Sequence, residues 1–170
     1  MVKRKHPRGD DARLPGGARI LVVDDDGNIR KILSLILRQS GYLVDTAATG
    51  EEAIAKSELN FYNLAIIDVR LPDIEGTKLL TLMKETTPRM RKIILTGYPL
   101  LENALQAINR GVDGYLAKPV NTAQLLKTVA QLLELQAKEN TFTEEKLKDF
   151  VETRFKKGRT IRREMTQETA

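Results

Sequence analysis

The chain has 170 residues, 41% of them hydrophobic and 30% charged, which suits one soluble globular domain and is too short for two comfortable ones. It contains no cysteine and a single histidine, His6, so disulfides, thiolate or His-cluster metal sites, cysteine nucleophiles and a serine triad within the folded part are excluded. The formal charge of +5 is uneven: residues 1–19 carry +4, residues 20–138 are neutral and residues 139–170 carry +1. The basic character therefore belongs to an N-terminal arm, 1–18, read as a flexible leader rather than a nucleic-acid motif. No apolar run approaches the roughly 20 residues that span a bilayer, and no apolar core follows the basic start as in a signal peptide. A cytoplasmic location without membrane contact is expected.

From Arg19 onward, short β-branched runs alternate with amphipathic stretches. The predicted strands are RILVV (19–23), YLVDT (42–46), NLAIID (63–68), KIILT (92–96) and GYLAK (114–118). The predicted helices are 28–39, 50–59, 76–85, 100–109 and 121–136. Five strands alternating with five helices give an α/β domain, 19–138, around a mostly parallel sheet. The continuous apolar character of ILVV, AII and IIL fits strands covered on both faces. Beyond it, residues 139–170 form a helical extension with a charged tail. Thr141-Phe-Thr-Glu144 reads as a capping box that starts a separate helix at about 143–157.

In an open α/β sheet, ligands bind beyond the carboxyl ends of the strands, so the polar residues closing each run are the candidates. They are Asp24-Asp25-Asp26, Asp68, Thr96-Gly97 and Lys118-Pro119. Two full charges about 4 Å apart repel by about 4 kcal/mol at an effective dielectric of ~20, and a hard divalent ion such as Mg²⁺ relieves that repulsion. Lys118 adds a positive charge and Thr96 a hydroxyl donor. Asp68, alone at its strand end, is the best placed carboxylate to act as a nucleophile toward a phosphoryl group. Asp73 and Glu75 read as a turn and cap for the helix starting at 76, and Asp26 as part of a turn and helix cap.

The segments ILVVDDDGNIR, AIIDVRLPDIEG, ILTGY and GYLAKPV, in this order, resemble the response-regulator receiver domain of two-component signalling over about residues 19–138. The resemblance implies a flavodoxin-like, doubly wound five-stranded parallel sheet of order 2-1-3-4-5. It implies that Asp68 is the phosphoacceptor and that Asp24, Asp25, Asp68 and the Arg70 carbonyl hold Mg²⁺. Thr96 and Lys118 would contact the phosphoryl group, Tyr115 would be the aromatic switch coupled to Thr96, and Lys118-Pro119 would be a bond often cis. The bulky Arg70 departs from the Asn or Met of some members and bears on hydrolysis of the phosphoryl group. The surface expected to change on phosphorylation includes Leu100, Leu101, Leu105, Tyr115 and Lys118.

The implied partners are a histidine kinase or phosphotransfer protein as donor and a protein target, with a phosphorylation-dependent homodimer as one mode of output. Residues 139–170 are too few for a DNA-binding domain of their own, so a stand-alone receiver acting by protein contact is expected. A receiver fragment of a longer regulator or hybrid kinase is the alternative. A rival from another class is a haloacid-dehalogenase-like phosphohydrolase, with Asp24 as nucleophile of a DxDG motif. It lacks the acidic motif expected after the lysine, since residues 119–133 contain no Asp or Glu, and it leaves Asp68 without a role.

Overall fold

The computed structural model describes residues 17–86, 89–97 and 111–167. Its elements are β1 (Arg19–Val23), α1 (Gly27–Gln39), β2 (Leu43–Ala47), α2 (Gly50–Leu59), β3 (Leu64–Asp68), α3 (Gly76–Thr86), β4 (Arg91–Thr96), β5 (Gly114–Ala117) and α4 (Thr122–Gln167). The five strands form one sheet of order β2-β1-β3-β4-β5, every pair parallel, as expected. The predicted helix at 100–109, with Leu100, Leu101 and Leu105, lies outside the described residues, as does His6 in the basic arm.

Strand side chains alternate between two apolar layers. Ile20, Val22, Ile66, Ile93 and Leu95 face Leu33 and Leu37 of α1 and Leu125 and Val129 of α4. Leu21, Val23, Ala65, Ile67 and Ile94 face Ala53 of α2 and Leu79, Leu80 and Met83 of α3. Both faces of the sheet are therefore covered, which is why its strands read as unbroken apolar runs.

The C-terminal region departs from expectation. The chain divides into two compact units, one ending at Glu134 and the other starting at Leu135. Residues 122–167 nevertheless form a single helix, with no new start near 143. The Thr141 hydroxyl donates to the Ala137 carbonyl at 3.0 Å and that of Thr143 to Glu139 at 2.9 Å, so both bond backward within the helix instead of capping a new one. No Gly or Pro stands between Pro119 and Gly158 to stop it. Within the second unit Leu135, Phe142, Leu147 and Val151 are exposed, and the Lys146 ammonium sits 4.5 Å from the Phe142 ring centre. No described helix is long and apolar enough to cross a membrane.

Candidate functional site

Register brings the predicted residues together. Val23 of β1 pairs with Ile67 of β3, so Asp24 follows at the same level as Asp68. Asp68 pairs with Leu95, and Thr96, next on β4, pairs with Ala117, so Lys118 follows on β5. One carboxyl edge thus carries two buried carboxylates, a buried hydroxyl and an ammonium: Asp24 is 1% exposed, Asp68 6% and Thr96 4%. The Lys118 backbone N–H donates to the Thr96 carbonyl at 2.7 Å, which fixes where the lysine leaves the sheet. The Lys118–Pro119 bond is cis.

The Lys118 ammonium spans the two acids, 2.8 Å from Asp24 Oδ2 and 3.3 Å from Asp68 Oδ1. Burial and the charge of Asp24 make Asp68 harder to ionise than an ordinary carboxyl, against the opposing pull of Lys118 and of the Arg70 backbone N–H donated to it. For Lys118, burial works toward losing the proton, but the hydrogen bond and charge of Asp24, with those of Asp68, outweigh it and strengthen its hold. The lysine is thus a fixed positive charge.

Asp24, Asp25 and Asp68 each offer an oxygen within 4.8 Å of the others, two from buried residues and one, Asp25, from an exposed one. This all-oxygen, carboxylate-rich donor set is of the kind that suits Mg²⁺, which takes oxygen ligands and keeps water in the remaining positions. Arg70 stands on the exposed rim, in an antiparallel bridge with Glu75. Tyr115 is half-buried against the α2/α3 layer, and its buried hydroxyl has no hydrogen-bond partner among the described residues.

Two cap assignments resolve here. Asp26 caps α1, its carboxylate accepting from Asn28 N–H at 2.8 Å and Ile29 N–H at 3.3 Å. Asp73 does not cap α3. Its two oxygens accept from the N–H groups of Gly50 and Glu51, at 2.9 and 2.8 Å, and so cap α2 across the loop. The α3 start is set instead by Glu75, whose carbonyl accepts from Leu79 N–H at 2.9 Å, and by Gly76, whose N–H donates to Val69 O at 2.8 Å. Sequence reasoning missed Arg30, whose guanidinium folds back on the acidic loop; nothing but its place one turn after that loop could have flagged it.

The two nucleophile candidates are held differently. Asp24 is almost wholly covered, with Oδ1 accepting from Asp26 N–H at 2.9 Å and Oδ2 2.8 Å from the Lys118 ammonium, whereas Lys118 stands farther, at 3.3 Å, from Asp68. A doubly wound parallel sheet with acids and a lysine at its carboxyl edge defines the class of the α/β receiver. The chain belongs to the response regulator receiver domain family, whose model matches residues 20–130.

Among curated relatives, it is 33% identical over 137 residues to the transcriptional regulatory protein GlrR of Escherichia coli K12, covering 81% of this chain and 30% of that protein. The chain thus spans under a third of that relative's length. Among solved structures it is similar to a CheY-like receiver domain protein from Methanospirillum hungatei, with 47% identity, a TM-score of 0.70 and coverage of 72% of this chain and 98% of that one. It is also similar to the response regulator TrrA of Thermotoga maritima, solved in complex with Mg(2+)-BeF, with 36% identity, a TM-score of 0.62 and coverage of 68% and 98%.

Proposed function

We propose that this chain is a phosphorylation switch in which Asp68 accepts a phosphoryl group from a phosphohistidine on a histidine kinase or phosphotransfer protein. The observation that carries the reading is the Asp24–Asp25–Asp68 oxygen cluster with Lys118 reaching both buried acids. Asp24, Asp25, Asp68 and the Arg70 carbonyl would hold Mg²⁺, which when bound supplies a charge that draws phosphoryl oxygens toward the edge. An Asp68 oxygen attacks phosphorus in line, the bond from phosphorus to the donor's ring nitrogen breaks, and that nitrogen leaves with its electron pair. Lys118 stabilises charge on the transferring group and Thr96 donates its hydroxyl to a phosphoryl oxygen. The Mg(2+)-BeF complex of TrrA supports this chemistry for a relative of the same fold.

Output follows from coupling between Thr96 and Tyr115. The new negative charge draws the Thr96 hydroxyl, and Tyr115, whose hydroxyl has no hydrogen-bond partner among the described residues, moves with β4 and β5. The altered surface is then read by a protein partner or a second copy, in the cytoplasm. The name of GlrR favours a second reading of the output, in which the same switch regulates a larger transcriptional regulator.

Acetyl phosphate with Mg²⁺ should add one phosphoryl group to the intact mass of the wild type and none to Asp68→Asn, and beryllofluoride should block the addition. Asp24→Asn should slow the labelling without moving it from Asp68. Labelling that survives in Asp68→Asn would refute the assignment.

A further inference from the structure

Beyond Val23 the β1 ladder ends: Asp24 keeps one backbone bond to β2, its N–H donating to the Ala47 carbonyl at 3.1 Å, and Asp25 follows beyond the last paired residue. These two residues present carboxylates toward a third at Asp68, an arrangement that electrostatics opposes. Left to itself, such a loop would swing its acids apart into water. Arg30, half-buried in the first turn of α1, reaches back across the turn. Its Nη1 donates to the Asp24 carbonyl oxygen at 2.6 Å and to the Asp25 carbonyl oxygen at 2.9 Å. One rigid guanidinium thereby ties two consecutive peptide groups to the helix, and the Asp26 cap ties the third.

We propose that Arg30 is a positioning residue for the divalent cation, clamping the peptides of Asp24 and Asp25 so that both carboxylates stay turned toward Asp68. The inference rests on reading the acidic cluster as the Mg²⁺ site. It makes a prediction opposite in sign to the effect of charge alone. A guanidinium near a cation site repels the cation, so deleting it for its charge tightens Mg²⁺ binding; deleting a clamp weakens it. Outer groups that orient metal ligands typically contribute about 10–100-fold to affinity, and Arg30, acting through the backbone, belongs near the low end.

The test is calorimetric titration of Mg²⁺ into the metal-free full chain at fixed ionic strength, for wild type, Arg30→Ala and Arg30→Gln. Arg30→Ala should weaken Mg²⁺ binding about tenfold. Arg30→Gln, which keeps an N–H donor but no charge, should recover part of that loss. The rate of labelling by acetyl phosphate should return to the wild-type value at saturating Mg²⁺, because only the cation's half-saturation point moves. An Mg²⁺ affinity in Arg30→Ala that is unchanged or tighter overturns the proposal, even if the metal-free protein melts earlier, since a purely structural arginine would do only that. Should Arg30→Ala fail to fold, Arg30→Gln decides alone: affinity equal to wild type or tighter refutes the clamp. A wild type that takes up no Mg²⁺ would instead bring down the reading of the cluster itself, and the clamp with it.

Discussion

Replacing Lys118 by Met keeps the apolar stem and removes the ammonium that lies between two buried acids. Its contacts at 2.8 and 3.3 Å are each worth about 5–6 kcal/mol at an effective dielectric of ~20, before the cost of desolvating the charge. The lysine side chain is 21% exposed, while those of Asp24 and Asp68 are 1% and 8% exposed, so most of that desolvation falls on the carboxylates and persists when the lysine is gone. Removing one partner of such a buried pair costs about 3–5 kcal/mol, and the metal-free variant should lose that much. Mg²⁺ at a hundred times its dissociation constant should stabilise the wild type by about 2.7 kcal/mol. In the variant the increment at the same Mg²⁺ concentration should be larger, because the cation no longer shares Asp24 Oδ2 and Asp68 Oδ1 with an ammonium. Urea unfolding followed by circular dichroism, in EDTA and across an Mg²⁺ series, reads both quantities. Equal stabilities in EDTA, or an increment no larger in the variant, would refute the electrostatic account.

At the other end of the sheet, the Tyr62 hydroxyl donates to Asp45 at 2.9 Å, and burial together with that carboxylate pushes its pKa from 10.0 up to about 12. The fold favours the neutral phenol, so this contribution is whole below pH 10 and fades as the pH rises to about 12; Tyr62→Phe should flatten the stability curve over that window and lose about 1 kcal/mol at neutral pH. Gly76→Ala would place a Cβ onto the Asp68 carbonyl oxygen and within 3.0 Å of Val69 Cα, and should cost about 1–3 kcal/mol in urea unfolding while slowing acetyl phosphate labelling. Asp73→Ala should lower the melting temperature more than Asp73→Asn, which keeps one of the two acceptors for the α2 N-terminus. The hydrogen bonds from Gly50 and Glu51 hold the Asp73 carboxyl below its ordinary range, so its contribution is present above that range and lost as the pH falls through the lowered value, and the acid limb of the melting curve should flatten in Asp73→Ala.

The strands were legible because burial on both faces leaves a two-sided apolar run that few other structures produce. RILVV became β1 residue for residue, and the other runs moved by only one residue at either end. The acidic edge was legible for a related reason: in a parallel sheet every strand delivers its terminal polar residue to the same side, so order along the chain becomes neighbourhood in space. Where inference failed, it had used nearness in sequence as a proxy for contact. Asp73 stands three residues before α3, yet it caps a helix that begins 23 residues upstream. Thr141 has the spacing of a capping box, but a cap requires non-helical backbone, and nothing around it breaks the helix. Arg30 has the pattern of any exposed helical arginine, and only coordinates show it turned back on its own loop. Lys92 begins a predicted strand as a charged residue and is 2% exposed, its ammonium donating to the Met90 carbonyl at 2.9 Å.

The charges at the edge suggest why the switch would act through β4 rather than β1. Three carboxylates face one ammonium, an excess of two negative charges, which one Mg²⁺ balances. In the proposed phosphorylated state the singly charged carboxylate at position 68 becomes a group of roughly two negative charges, and the edge is again about one charge short of neutral. Asp24 and Asp25 only add to that excess, and their backbone is tied by the Asp26 cap and the Arg30 guanidinium. Lys118 is already committed to both acids. Thr96, one residue past the partner of Asp68 on the adjoining strand, carries a hydroxyl that can donate to the new charge. Gly97 follows it at the end of β4, exposed, with no described residue within 4 Å of where a side chain would begin. A shift there carries directly to β5, because Ile94 pairs with Tyr115 and Thr96 with Ala117.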